Sequence, residues 1–177
     1  MNTTKWVIDP AHSDIEFKVK HMMITTVTGT FKEFKSEVET EGDDFTTAKI
    51  SFEANTASVF TNAEQRDAHL RSADFFDAEN FPVMSFVSSR LEKIDDETWL
   101  LKGDLTIRGV TNPVKLDVEF GGQGKDPWGN TKAGFSLNGK INRKDWGLNW
   151  NAALETGGVL VSDDVRIYAE VQYAKQA

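Results

Sequence analysis

Val114-Lys115-Leu116-Asp117-Val118-Glu119-Phe120 alternates apolar and charged residues without a break, and this alternation decides the fold. Successive side chains of a strand point to opposite faces, so the stretch has one dry face and one wet face. The same period of two recurs along the chain. Ile15, Phe17 and Val19 alternate with Asp14, Glu16, Lys18 and Lys20, and Ala48, Ile50, Phe52 and Ala54 alternate with Lys49, Ser51 and Glu53. Trp99, Leu101, Gly103, Leu105 and Ile107 share one phase, Ala133, Phe135, Leu137, Gly139 and Ile141 another, and Val165, Ile167, Ala169, Val171 and Tyr173 a third. One solvated face per strand is the mark of antiparallel sheets, since parallel strands covered on both sides do not alternate. Turn signals at Glu41-Gly42-Asp43-Asp44, Ile94-Asp95-Asp96-Glu97, Arg108 to Pro113 and Gly121 to Pro127 separate the runs. Strands at this spacing make a sandwich or barrel. The expectation is an all-β chain, residues 1–177 forming one domain and a single antiparallel β-barrel of about eight strands.

Two segments are less regular. The apolar phase slips between Val27-Gly29-Phe31 and Phe34-Ser36-Val38, which predicts a β-bulge near Lys32 or Glu33. Met84 to Leu91 carries apolar residues on both phases, which predicts a strand covered on both sides. One segment abandons the pattern: Thr61-Asn62-Ala63-Glu64 has the form of a capping box, residues 63–71 then read as a short helix, and Ser72-Ala73-Asp74 ends it. With Phe75-Phe76 and Phe81-Pro82 behind it, this helix is expected to lid one end of the barrel.

Composition narrows the function. Hydrophobic residues at 39% and charged residues at 27% give a core and a solvated surface, and the net charge of −8 argues against a nucleic-acid partner. Without cysteine there are neither disulfides nor thiolate metal sites. No apolar run approaches the ~18 residues of a membrane helix, so stable membrane insertion is not expected. The N-terminus carries no apolar leader, so the expected compartment is the cytoplasm, or the periplasm if a leader has been cut away. A homodimer is left open.

A barrel of about eight strands is either filled by side chains or holds one slender ligand. Gly103 and Gly139 in mid-strand, and Ala48, Ala54, Ala133 and Ala169 on the same dry phases, predict free space beside Phe17, Phe52, Phe120 and Phe135. Ordinary large-to-small interdigitation of a packed core accounts for the same pattern. His21 and Arg143 continue dry phases to strand ends, where a cation at the barrel mouth would meet an anionic or carbonyl head group. If the strands stop earlier, both are simply solvated.

Further residues suggest a family. Trp6-x-Ile8-Asp9-x-x-His12-Ser13-x-Ile15-x-Phe17 is followed by Val27-x-Gly29-x-Phe31-x-x-Phe34, then by Arg66-Asp67-x-His69-Leu70-x-Ser72-x-Asp74-Phe75-Phe76-Asp77 and Phe81-Pro82. Gly103-x-Leu105-Thr106-x-x-Gly109-x-Thr111-x-Pro113-Val114, Ile141-x-Arg143-x-Asp145-Trp146-Gly147 and Val161-Ser162-Asp163-x-Val165-x-Ile167 come later. In this order the blocks resemble the YceI-like polyisoprenoid-binding family over almost the whole chain. The resemblance implies a lipocalin-like barrel whose tunnel takes a polyprenyl chain, and some members are periplasmic. Two departures stand out. Trp146-Gly147 replaces the family's usual Phe-Gly, which would alter the tunnel end, and Val161-Ser162-Asp163 stands where Val-Gly-Asp is common.

Arg66, His69 and Leu70 would bring a cation, an imidazole and an apolar anchor to the entrance, with Asp67 or Asp74 orienting His69; alternatively Arg66 and the aspartates fasten the helix. Ser72, His69 and Asp67 or Asp74 supply triad residue types, but a serine three residues after histidine on one helix is poorly placed as its nucleophile. His12, His21 and His69 lack paired metal-ligand spacing, and Gly121-Gly122-Gln123-Gly124, read as a hairpin connection, has no helix or Lys-Ser/Thr behind it to hold phosphate. The expected function is therefore non-enzymatic binding, transport or storage of a polyisoprenoid lipid, of the isoprenoid quinone or polyprenyl phosphate type, with no cofactor required. An enzyme acting on an apolar substrate in the cavity, or a filled barrel serving as an interaction module, are the alternatives. The expected ligand contacts are Phe17, Val19, His21, Phe31, Phe34, Phe52, Arg66, His69, Leu70, Phe75, Phe76, Phe86, Leu105, Phe120, Phe135, Leu137, Arg143 and Trp146.

Overall fold

Each alternating stretch becomes a strand that pairs antiparallel with its neighbours. The computed structural model describes residues 2–155 and 157–177. In chain order the strands are β1 (Thr3–Ile8), β2 (Asp14–His21), β3 (Thr25–Phe31), β4 (Phe34–Glu41), β5 (Asp44–Asn55), β6 (Val59–Phe60), β7 (Val83–Lys93), β8 (Thr98–Ile107), β9 (Val110–Lys125), β10 (Thr131–Asn142) and β11 (Val161–Lys175). Among the described residues the one α-helix, α1 (Glu64–Arg71), lies between β6 and β7.

The ring runs β1-β4-β5-β7-β8-β9-β10-β11 and closes where Trp6, Val7 and Ile8 pair with Lys175, Ala174 and Tyr173. β2, β3 and β6 are continuations of β1, β4 and β5 across kinks: β2 follows β1 along β11, and pairs through β3 to β6. The result is a closed eight-stranded up-and-down barrel, which leaves no long unpaired edge.

The three kinks adjoin one another. Pro10–His12 forms a 3-10 turn, and Asp9 fixes it by accepting from the Ala11 amide (3.1 Å), His12 Nδ1 (2.9 Å) and Lys132 Nζ (3.2 Å). The His12 contact, then Lys132, holds the Asp9 carboxyl below the usual aspartate range, against a desolvation that raises it. Lys32-Glu33 is a bend between two strands, where a bulge within one strand was expected; the Lys32 amide donates to the Ser58 carbonyl in the third kink.

Other expectations are corrected. β7 is covered on one face only, with Met84, Phe86 and Leu91 buried and Val87 58% exposed. The Gly-rich segment lies inside β9, where Gly122 at φ +105° faces Gly134 beside a register shift; the connecting turn comes after it, with Asp126 accepting from the amides of Trp128 and Asn130. Gly103 and Gly139 do not open space. A Cβ on Gly103 would stand 2.5 Å from Phe86 Cζ and from the Val87 carbonyl, and one on Gly139 2.5 Å from Leu116 Cδ2. Large neighbouring side chains lie across these glycines, covering bare backbone.

Aromatic rings close the end of the barrel that holds the chain termini. Trp6 packs on Phe45 (5.0 Å), Phe45 on Phe135 (5.1 Å), and Phe135 on Phe120 (5.1 Å). Trp6 Nε1 donates to Thr40, and the Tyr173 and Ser36 hydroxyls bond at 2.8 Å, whereas the buried Nε1 of Trp99, beside Phe120, has no partner among the described residues. Burial pushes the Tyr173 phenol up to about 12, the Ser36 bond partly opposing it, so it remains a neutral plug. Because Phe86 occupies the space over Gly103, Gly103→Ala is expected to destabilise the protein by roughly 1–3 kcal/mol in urea unfolding. Gly124, with nothing within 4 Å of its missing Cβ, should tolerate alanine within about 0.5 kcal/mol.

Candidate functional site

The alternating dry faces do not meet at the barrel axis. They enclose an apolar tunnel of about 410 Å³, within the range of small-molecule sites. Its walls come from nearly every strand: Ile15, Phe17 and Val19 of β2, Val38 of β4, Ile50 and Phe52 of β5, Phe86 of β7, Leu101 and Leu105 of β8, Leu116 of β9, Leu137 of β10, and Ile167 and Ala169 of β11. Phe45, Phe135 and Tyr173 form its blind end. Under α1, Phe17, Phe31 and Phe76 pack together at 5.6–6.5 Å, a rigid aromatic wall.

Polar residues collect at the other end, beside the β2–β3 hairpin. Among the residues lining the cavity Lys20, His21, Arg66, His69 and Arg143 are basic and Glu16 alone is acidic. The mouth thus sets positive charge against an apolar interior.

The arrangement of α1 explains where these side chains point. Asp67 is buried and accepts from the Thr61 amide and hydroxyl (2.8 and 2.5 Å), while Arg66 donates from Nε to the Thr61 hydroxyl (2.7 Å) and from Nη2 to its carbonyl (2.6 Å). This replaces the expected capping box. The residue before the helix is Ala63, no side chain caps it, and the Thr61 hydroxyl is taken by Asp67. Arg66 has no carboxylate within salt-bridge distance among the described residues, so its charge is not cancelled locally. His69 Nε2 lies 2.9 Å from Asp74 Oδ2, and its ring stands edge-on to Trp150 at 4.5 Å and Phe75 at 5.0 Å. Asp74, then, is the partner of His69, and Asp67 is not. The Ser72 hydroxyl donates to the His69 backbone carbonyl and not to its imidazole, so the triad geometry is absent.

Arg143 lies past the end of β10, in a 3-10 turn, and is neither solvated nor a free rim cation. It is 5% exposed and donates to the carbonyls of Leu148, Trp150, Val161 and Ser162, fastening the segment between β10 and β11. Burial lowers its affinity for the proton, with Asp163 partly restoring it. It reaches the tunnel wall as a held cation.

Of the expected contacts, Phe17, Val19, His21, Phe31, Phe52, Arg66, His69, Leu70, Phe75, Phe76, Phe86, Leu105, Phe135, Leu137 and Arg143 line the tunnel, and Phe34, Phe120 and Trp146 do not. Phe34 stacks on Phe52 at 6.3 Å, behind the wall. Phe120 belongs to the aromatic plug. Trp146 is buried beside β8, its Nε1 donating 2.8 Å to the Leu105 carbonyl, a hydrogen bond that the family's usual Phe could not make, and it does not itself line the tunnel. Trp150, Phe45 and Leu148 were not foreseen. Phe45 follows the turn signal at Asp43-Asp44, and the other two lie in an irregular stretch with no periodicity to read. Of the small residues only Ala169 faces the tunnel; Ala48, Ala54 and Ala133 pack in the core.

A closed antiparallel barrel around an apolar tunnel with a polar mouth is a lipocalin-like architecture. The chain belongs to the YceI-like domain family, which matches residues 6–173. A UPF0312 protein of Staphylococcus epidermidis is 41% identical over 172 residues, covering 97% of this chain and 98% of that one. The crystal structure of the Campylobacter jejuni YceI protein is 37% identical, with a TM-score of 0.78 and 96% of each chain covered. A polyisoprenoid binding domain from Saccharophagus degradans, implicated in plant cell wall breakdown, shares the fold at 16% identity, with a TM-score of 0.70, covering 97% of this chain and 98% of that one.

Because removing Arg143 would strand several buried carbonyls, Arg143→Ala is expected to cost at least about 2 kcal/mol in denaturant unfolding. A loss within experimental error would show the contacts to be dispensable.

Proposed function

We propose that this protein binds and carries a polyisoprenoid lipid, its prenyl chain in the tunnel and its polar head, a quinone ring or a phosphate, at the cationic mouth. The observation that carries the reading is the polarity of the cavity: apolar walls end blindly in an aromatic plug, and positive side chains gather at the opposite end alone. Burial of a prenyl chain would supply up to ~0.8 kcal/mol per CH₂ group before the costs of association. Arg66, uncompensated by a carboxylate, is suited to donate to carbonyl or phosphate oxygens, and His69, steadied by Asp74 and Trp150, stands beside it on the same helix. The polyisoprenoid-binding neighbour from Saccharophagus degradans supports this class of ligand.

One titration tests both halves of the proposal. Ala169 faces Leu137 and Ile15 across the sheet and lines the tunnel, so Ala169→Phe should weaken a prenyl quinone and a bare prenyl hydrocarbon alike, by at least about tenfold. Arg66→Ala with His69→Ala should weaken the quinone clearly more than the hydrocarbon. Unchanged affinity in folded Ala169→Phe protein would remove the tunnel from the account, and equal losses in the double variant would make Arg66 and His69 purely structural.

A further inference from the structure

The β2–β3 hairpin at the tunnel mouth is built against its own local interests. The Ile24 amide donates to the His21 carbonyl at 3.0 Å, and Met22 and Met23 hold φ of +55° and +60°, the geometry of a type I′ turn. Such turns select glycine, asparagine or aspartate at both central positions, since side chains are strained at positive φ. Here two methionines occupy them. They are exposed as well, Met22 at 40%, Met23 at 60% and Ile24 at 74%, so strain is accepted and apolar surface left in water at the same three residues. The Met22 amide ties the tip to the Leu160 carbonyl at 2.7 Å, and Leu160 lines the tunnel with His21 just behind the tip. The apolar tip is therefore continuous with the mouth.

The charge around it runs against that of the chain. Net charge is −8, yet residues 17–31 contain Lys18 and Lys20 and neither Asp nor Glu, and the nearby Asp163 and Asp164 of β11 are paired with Lys144 and Lys140. On the outer wall below the mouth, Lys140, Arg166 and Lys18 stand directly opposite one another across β10, β11 and β2. Like charges so placed repel. Asp164 lies 3.7 Å from Lys140, while Lys18, Lys20 and Arg166 have no carboxylate within salt-bridge distance among the described residues. A flexible, polarizable apolar tip with a basic collar matches one kind of partner, an anionic lipid surface, with the tip entering the headgroup region and the collar facing lipid phosphates.

We propose that the Met22-Met23-Ile24 hairpin docks the mouth of the barrel on an anionic bilayer, so that a lipid enters or leaves the tunnel without crossing water. The docking surface stands on the hairpin itself; only its purpose rests on the carriage reading.

The experiment is co-sedimentation of the full chain with vesicles of phosphatidylcholine and phosphatidylglycerol at 3:1, and of phosphatidylcholine alone, at low and high salt. Binding should favour the anionic vesicles and fall with salt. Met22→Asn with Met23→Gly gives the turn its preferred residues, so thermal stability should hold or rise while the bound fraction falls roughly tenfold. Lys18→Gln with Arg166→Gln should flatten the salt dependence. Undiminished vesicle binding by the Asn-Gly variant would overturn the proposal. So would a wild-type dimer in sedimentation velocity that the variant dissolves, since the tip would then be covered by a second copy. Prenyl-quinone titration in vesicle-free solution separates the two readings: vesicle binding by a protein that takes up no quinone would uphold docking and refute carriage.

Discussion

Every feature of the site depends on closure of the barrel through β11. This strand of fifteen residues pairs with β10 along one edge and with β2 and then β1 along the other, so it is both the last strand and the seam. The seam meets a chain that has to bend. The kink at Pro10–His12 lets β1 and β2 follow β11 in succession, and it is pinned to that strand by the Asp9 amide on the Gln172 carbonyl and by the Gln172 amide on the Ser13 hydroxyl. The bend at Lys32-Glu33 and the turn at Thr56–Ser58 repeat the change of direction in the next two strands. Eight strand positions enclose an interior just wide enough for one slender molecule.

Within that frame the two ends differ in chemistry. At the end with the termini, Trp6, Phe45, Phe120 and Phe135 interlock, and the polar tips of Trp6 and Tyr173 are satisfied internally. At the other end α1 arches over the opening, held by Asp67 gripping Thr61, while the Arg143 guanidinium gathers the segment between β10 and β11. Near the mouth Asp67 is engaged with Thr61 and Asp74 with His69, while Arg66 and Arg143 donate only to neutral oxygens, with no carboxylate within salt-bridge distance among the described residues. A field of that sign at the rim of an apolar tube orients a ligand with a polar head and an oily tail.

Period-two alternation made the strands, their antiparallel order and most of the tunnel wall legible, because inward residues such as Phe17, Leu105 and Leu137 keep their phase through to the structure. What the pattern cannot carry is how two dry faces meet. Gly103 and Gly139 looked like gaps, yet Phe86 and Leu116 lie over them, a contact between strands that no single strand encodes. Phe34, Phe120 and Trp146 were read as ligand contacts for their size and position, but rings in this barrel also plug its end and back its wall. Thr61-Asn62-Ala63-Glu64 has the letters of a capping box, and the longer-range partner Asp67 outcompetes the local one. Trp150 was invisible because it lies where no period exists.

We propose that the tunnel holds a prenyl lipid. Native mass spectrometry of freshly purified protein, followed by organic extraction and lipid analysis, tests it most directly. A one-to-one complex is expected, its added mass that of an isoprenoid recovered intact in the extract. Protein at its sequence mass alone, with no isoprenoid in the extract even after incubation with prenyl quinone and prenyl phosphate, would contradict it.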